Sequence, residues 1–149
     1  MRGRQRVLNA EGSDVAIKRY DQLRVWQLGM ELTRTAYTLS QRLPRHEVYG
    51  LTSQIRRAAV SIPANIAEGH ARDSRREFLH HLSIARGSLA ELETLARLSV
   101  ELHYLPADEA STLVDQCAEE SRMLRSLCDR LKSRVSDRRP NRLRGTTDP

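Results

Sequence analysis

Apolar residues recur every three or four positions through the middle of the chain, which is the spacing expected of amphipathic α-helices. Four such segments are separated by short stretches that contain or follow Pro44, Gly69 and Pro106. We therefore predict four helices, at residues 21–43, 47–69, 74–104 and 108–135. Connections of only a few residues make successive helices run side by side in opposite directions. The pattern thus predicts an all-α, antiparallel up-down-up-down four-helix bundle.

The third and fourth predicted helices have the most regular apolar rows, with steps that alternate between three and four residues. The row of the third helix is Phe78, Leu82, Ala85, Leu89, Leu92, Ala96 and Ser99. The row of the fourth helix is Leu113, Cys117, Ser121, Leu124, Cys128, Leu131 and Val135. Ser74 and Glu77 have the spacing of a capping box, and Gly69 lies where a helix commonly ends in a left-handed residue.

Two helices carry more apolar surface than one bundle can bury. The third helix has a second apolar row, and the second helix has small or apolar residues on the side that faces away from its core row. These residues are Ile84, Leu95, Leu98 and Leu102 in the third helix, and Val60, Pro63, Ala64 and Ala67 in the second. Such a surplus favours self-association into a homo-oligomer, although a wide core stripe is the alternative explanation.

The net charge of +6 is concentrated at the two ends of the chain. Residues 1–20 have a net charge of +3 and residues 132–149 have +4, which leaves residues 21–131 at −1. Residues 1–20 and 136–149 also lack apolar periodicity, so we expect two disordered basic tails around a bundle at residues 21–135. This distribution favours attraction to polyanions through the tails.

Cys117 and Cys128 are 11 residues apart on one predicted helix, and hence about 16 Å apart along its axis. This distance excludes a disulfide between them, so we expect two reduced cysteines. The sequence also contains no run of about 18 apolar residues that could span a membrane. We therefore expect a cytoplasmic protein with no membrane partner.

The stretch from Gly50 to Arg72 reads GLTSQIRRAAVSIPANIAEGHAR, and it resembles the four helix bundle protein family, also called the 23S rRNA intervening sequence protein family. The resemblance extends to DQLRVWQLGMEL, LPRHEVYGL and FLHHLSIARGSLAELETL, and so covers about residues 21–131. His103 and Tyr104 stand where a glycine-aromatic pair is expected, and His103 in place of the glycine is the departure.

This resemblance implies a cytosolic bacterial homopentamer, with members encoded in insertions within ribosomal RNA genes and with no established biochemical activity. It further implies a distant relation to accessory proteins of diversity-generating retroelements, which are pentamers that bind nucleic acid and a reverse transcriptase. RNA, DNA and a reverse transcriptase or another protein are therefore the partners to consider, besides further copies of the chain.

The second predicted helix has an unusual interior. Pro63 removes the backbone hydrogen bond to the carbonyl of Ala59, which predicts a kink. A polar row lies beside the apolar face and consists of Gln54, Arg57, Ser61, Asn65 and Glu68, with Gly69 following it. Two interpretations are open: a hydrogen-bonded seam within or between chains, or a ligand site.

Arginines are the candidate residues for binding nucleic acid. Arg72, Arg75 and Arg76 surround the start of the third helix, where the helix dipole disfavours cations, and Arg56 and Arg57 precede them. The two alternatives are neutralisation by Asp73 and Glu77, and contact with an anionic partner such as RNA phosphates.

Catalytic chemistry finds no support in the sequence. Glu77 and His80 have a metal-ligand spacing, but the fourth helix lacks the histidine that a second such motif would need. There is no glycine-rich phosphate loop and no Gly-x-Ser-x-Gly motif. We expect neither an enzyme nor a bound metal or cofactor. The first hypothesis is an oligomeric scaffold that binds RNA or DNA through phosphate contacts, and the second is a protein-protein interaction module with no nucleic-acid role.

Overall fold

Each of the four predicted segments forms a helix in the computed structural model, which describes residues 19–136 apart from the side chains of the last two. The helices are α1 (Arg24–Ser40), α2 (Leu51–His70), α3 (Arg75–Glu101) and α4 (Ala107–Ser136). Single 3-10 turns precede α1 at Tyr20–Gln22 and α2 at Arg45–Glu47. The predicted disorder of the two tails concerns residues that lie almost entirely outside the described range.

Hydrogen bonds show that α2 is antiparallel to α1 and to α3, and the short turn between Glu101 and Ala107 reverses the chain again before α4. On α1, Thr33 reaches Ala59 of α2 whereas the later Ser40 reaches the earlier Arg56. Each helix packs against its two neighbours in the cyclic order α1, α2, α3, α4, most extensively between α2 and α3 and least between α1 and α4. The predicted up-down-up-down four-helix bundle is therefore confirmed.

This topology gives the bundle two chemically different ends. The start of α1, the end of α2, the start of α3 and the end of α4 meet at one end, where residues 1–18 and 137–149 also attach. We call this the tail end. The turn between α1 and α2 and the turn between α3 and α4 lie together at the opposite end, where the Tyr104 hydroxyl donates to Glu47 Oε1 over 3.2 Å.

The core consists mainly of leucine, isoleucine and alanine. All seven predicted core residues of α3 are buried, from Phe78 to Ser99. In α4 the prediction of Ser121 as a core residue is wrong, because Ser121 is half-exposed and Glu120 is fully buried in its place. Leu127 is buried too, so the buried arc of α4 is turned further toward Glu120 than the sequence row indicates. Val135 is the last residue of the predicted core row, and its side chain lies outside the part of the chain that the structure describes.

One expectation for a helix end needs correction and another is met. Gly69 is not a left-handed terminal residue, since α2 continues to His70 and Gly69 is buried inside it. A Cβ at this position would lie 2.6 Å from the Cβ of His81, so the glycine allows the close approach of α2 and α3. At the start of α3 the Ser74 half of the predicted capping box is present, with Ser74 Oγ accepting from the Glu77 amide over 3.3 Å.

The end of α3 explains the departure from the family pattern. His103 adopts a φ of 60°, in the left-handed region that favours glycine. The amide of Tyr104 donates to the Ser99 carbonyl and that of His103 to the Val100 carbonyl, both over 2.9 Å, as in a Schellman motif. The predicted end of this helix at residue 104 is therefore wrong by three residues, because the chain turns at His103.

The described part of the chain also bears on the membrane question. None of its helices combines the length and the apolar character of a membrane-spanning segment.

Candidate functional site

The polar row of α2 forms a hydrogen-bonded seam with α3. The Asn65 side-chain amide donates to the carbonyl and hydroxyl oxygens of Ser61, over 2.8 and 3.0 Å. Its Oδ1 lies 3.1 Å from Nδ1 of His81, and the Ser88 hydroxyl donates to the Ser61 hydroxyl over 2.8 Å. This arrangement is what the seam interpretation predicts. Gln54 is an exposed member of the row and lies outside these bonds.

Pro63 is accommodated on the other side of α2, by α1. The Thr33 hydroxyl lies 3.0 Å from the Ala59 carbonyl that Pro63 leaves without its helical partner, and 2.7 Å from the Gly29 carbonyl. Pro63 is buried there, and a Cβ on Gly29 would lie 3.5 Å from the Cβ of Pro63. Sequence reasoning expects some group to satisfy the Ala59 carbonyl but does not identify Thr33, because the pairing depends on how α1 and α2 pack.

The five predicted nucleic-acid-binding arginines do not form one patch. Arg72, Arg75 and Arg76 come together at the tail end, whereas Arg57 lies about 22 Å from Arg72 along α2. Arg56 is not a free nucleic-acid-binding candidate, because its side chain is engaged by α1. Its guanidinium lies 5.0 Å from the centre of the Tyr37 ring, and its Nε donates to Ser40 Oγ over 2.9 Å. The Arg56 side chain is thus used in packing α2 against α1.

The remaining candidates differ in how well they are neutralised. Arg72 forms an ion pair with Glu68, four residues earlier in the chain, with 3.0 Å between Nη2 and Oε1. Within residues 19–136, Arg75 and Arg76 form no ion pair with the neighbouring acidic residues at positions 73 and 77. Asp73 and Glu77 therefore do not neutralise Arg75 and Arg76 as the first alternative expects, and the ion pair of Arg72 is with Glu68. Contact of these arginines with an anionic partner stays a prediction.

Most of the predicted self-association residues are exposed in the single chain. Val60 is 44% exposed, Ile84 39%, Leu98 41% and Leu102 45%, while Ala64 is exposed and Ala67 is half-buried. Pro63 is a correction, since it is buried against α1. Leu95 is another, since only 7% of it is exposed. It lies closer to the core row of α3 than to the outer row, and so it is covered within its own bundle.

Two exposed apolar residues were missed by the sequence analysis. Tyr49 is 96% exposed and Val48 is 50% exposed, in the turn between α1 and α2. Both residues fall within the helix predicted at 47–69, and this start is wrong because α2 begins at Leu51 and residues 48–50 form a turn. A large aromatic residue so fully exposed is a common feature of protein-protein contacts.

Glu120 was also missed, and it is the most unusual ionisable residue of the core. It is fully buried, and neither of its carboxyl oxygens has a hydrogen-bond partner among the described residues. Burial raises the pKa of Glu120 to about 8, against the opposing effect of Arg24 on α1 and with a smaller contribution from Glu119. The carboxyl group is therefore protonated at neutral pH.

The described residues offer little for catalysis. Burial, followed by the nearby carboxylates of Glu93 and Glu120, raises the pKa of Cys117 to about 12, so this thiol stays protonated. Burial also raises the pKa of Cys128. Between residues 19 and 136 there is no group of three or more His, Cys, Asp or Glu side chains that could hold a metal ion.

Glu120 generates a prediction about stability and pH. Its folded pKa of about 8 lies above its ordinary value of 4.5, so the folded state retains a proton that the unfolded state releases between these values. The free energy of unfolding should therefore fall as pH rises through this window, by up to about 1.4 kcal/mol per pH unit from this group. Urea unfolding of Glu120→Gln at several pH values should show less of this decline, and identical slopes for the two proteins would contradict the assignment.

Comparisons with known proteins agree with this architecture. The family described as 23S rRNA-intervening sequence protein matches residues 21–126, which span α1, α2, α3 and most of α4. The chain is also similar to the crystal structure of a protein of unknown function from the S23 ribosomal protein family of Bacteroides thetaiotaomicron, with a TM-score of 0.66. The two are 25% identical, and the match covers 70% of this chain and 97% of that chain. No curated protein matches the chain. Since the family match spans well over half of the sequence, the chain belongs to the 23S rRNA-intervening sequence protein family.

Proposed function

We propose that the chain is a non-enzymatic scaffold that assembles with copies of itself in the cytoplasm and binds RNA or DNA through their phosphates. A pentamer is the assembly that the family resemblance suggests. The observation that carries the nucleic-acid part is the tail end of the bundle, where Arg72, Arg75 and Arg76 lie beside the attachment points of both basic tails. A body with a net charge near zero can thus present concentrated positive charge at one end.

Self-association is supported by the outer face of the α2–α3 pair. Ile84 lies on α3 between His81 and Ser88, the two residues that bond to the α2 seam, so it borders the groove between these helices. Val60 and Ala64 are exposed on α2 on either side of Ser61 along the chain. Apolar surface shared by two adjacent helices is more extensive than scattered single residues, and such patches usually mark interfaces.

Phosphate contact is a better match to these residues than base recognition. The chain has only six aromatic residues, the single Trp and Phe and the four Tyr, which offers little surface for stacking bases. Arginine side chains at the tail end suit phosphate oxygens through their charged N–H donors. The expected binding is therefore electrostatic and weakly sequence-selective.

A protein-protein interaction module with no nucleic-acid role is the second candidate. It is favoured by the fully exposed Tyr49 with its neighbour Val48, and by the pairing of Arg72 with Glu68. A partner protein, such as the reverse transcriptase of the distantly related retroelement proteins, would then dock on this turn.

The self-association proposal predicts a specific response to charge on the outer row of α3. Leu98→Glu should yield smaller species by mass measurement while keeping its helical circular dichroism, because the exposed side chain tolerates charge within the single bundle. Ala90→Glu is the matched control, since it puts the same charge on an exposed site of α3 outside the apolar row. A monomeric unmodified protein at tens of micromolar would refute self-association.

The nucleic-acid proposal predicts binding that depends steeply on salt. Affinity for a 20-nucleotide single-stranded RNA, measured by fluorescence anisotropy, should fall as salt rises, with a log-log slope of about −0.7 for each phosphate contact. Removing both tails should flatten this slope, because they supply much of the net positive charge. Undetectable binding of the intact chain at about 50 mM salt would reject this function and favour the protein-interaction module.

A further inference from the structure

The outer face of α4 reverses its charge along the helix. The first half exposes Asp108, Asp115 and Glu119. The remaining turns carry five basic residues against a single acidic residue, Asp129; the basic residues are Arg122, Arg125, Arg130, Lys132 and Arg134. This second half ends at the tail end of the bundle, so the chain places a basic helix face next to the attachment of its C-terminal residues.

Local helix stability does not account for Arg122 and Arg125. Cations are favoured by the helix dipole only within the last turn, and α4 ends at Ser136, about 16 Å beyond Arg125. Arg122 and Arg125 are three residues apart on one helix, where like charges repel, although Glu119 lies three residues before Arg122 and Asp129 four after Arg125. Neither forms an ion pair with Asp129, or with any other acidic residue in the range 19–136. Their charge is therefore open to an anionic partner.

This face is better suited to a polyanion than the arginines at the start of α3. There, Glu68 pairs with Arg72, and the exposed Asp73 and Glu77 lie among the other two arginines. On α4, Asp129 is the only acid in the basic half. Asp129 lines the same shallow hollow as Arg122 and Arg125, but Arg130 and the neutral hydroxyl groups of Ser121 and Ser126 line it too, so basic residues outnumber acidic ones there.

The basic residues of α4 are also arranged along the axis of the helix. Arg122, Arg125, Asp129 and Lys132 follow one another at steps of three, four and three residues, so they lie along one stripe of the helix. Asp129 is the single acidic residue of this stripe. The stripe is about 15 Å long and leads toward residues 137–149, which contain four further arginines. An elongated anion with repeated charges matches such a stripe better than a single compact anion does.

We propose that the basic half of α4 is the main contact of this chain with the phosphodiester backbone of single-stranded nucleic acid, with Arg122 and Arg125 binding phosphates. This inference rests on the proposed nucleic-acid function and names the site for it. Because the contact is to phosphates, single-stranded RNA and DNA of equal length should both bind, and the difference between them reports any contribution from the 2′-hydroxyl.

The test compares three double variants of the full-length chain that each remove two positive charges. Arg122→Gln/Arg125→Gln alters the proposed site, Arg75→Gln/Arg76→Gln alters the start of α3, and Arg34→Gln/Arg45→Gln is a matched control on exposed residues outside both. Glutamine is a good helix former, and circular dichroism and mass measurement verify that fold and assembly are unchanged. The probes are fluorescein-labelled 20-nucleotide single-stranded RNA and DNA.

We expect the α4 variant to lose at least about tenfold in affinity at 50 mM salt, with the log-log salt slope less steep by about 1.4, as for two lost phosphate contacts. The control should change affinity by less than about threefold, and the α3 variant should lie between the two. Equal losses in the α4 variant and the control, with the unmodified chain still binding, would overturn the α4 site alone. No binding by the unmodified chain would instead refute the proposed function. Competition by polyglutamate as strong as by RNA of equal charge would overturn the nucleic-acid assignment of this surface.

Discussion

The carbonyl of Ala59 is the group around which the packing of α2 is organised. Pro63 cannot donate to it, and a buried carbonyl without a partner costs roughly 1–3 kcal/mol. The Thr33 hydroxyl lies 3.0 Å from it and 2.7 Å from the Gly29 carbonyl, so its single proton is shared between the two acceptors. This contact requires α1 to approach α2 where Gly29 faces Pro63. On its other side α2 is held to α3 by the hydrogen-bonded seam and by the contact of Gly69 with His81. The position of α2 is therefore fixed by contacts with α1 on one side and with α3 on the other.

The contacts of α2 with α1 and α3 determine which surfaces of the bundle remain exposed for binding. With α1 and α3 bound to α2, the least extensive packing is between α1 and α4, and here the core contains the uncharged but polar Glu120. The outer faces of α2 and α3 carry exposed apolar side chains, while the outer face of α4 carries separated acidic and basic halves. Self-association and anion binding are thus proposed for different faces of one bundle, so an assembled ring could present many copies of the basic face to one nucleic-acid strand.

The sequence predicts the fold well because the fold depends on periodicity, which is local. The core row of α3 and the cap at Ser74 follow from spacing alone. Predictions that depend on neighbours were less successful: Leu95 and Gly69 are used in packing that only the assembled helices define. The basic half of α4 was not predicted as a binding surface, for a different reason. The sum over residues 21–131 is −1 because it combines the acidic first half of α4 with Arg122, Arg125 and Arg130 and leaves Lys132 and Arg134 to the C-terminal segment.

A double-mutant cycle at Thr33 and Pro63 tests the organising role of the Ala59 carbonyl most directly. Urea unfolding at one protomer concentration gives the cost of Thr33→Val in the natural chain and in the Pro63→Ala background. The account predicts a cost of about 1–2 kcal/mol in the natural chain. In the Pro63→Ala background the restored backbone amide can bond to the Ala59 carbonyl, so the cost should fall by about 1 kcal/mol. Equal costs in the two backgrounds would contradict the account, because Thr33 would then stabilise the bundle independently of the bond that Pro63 removes.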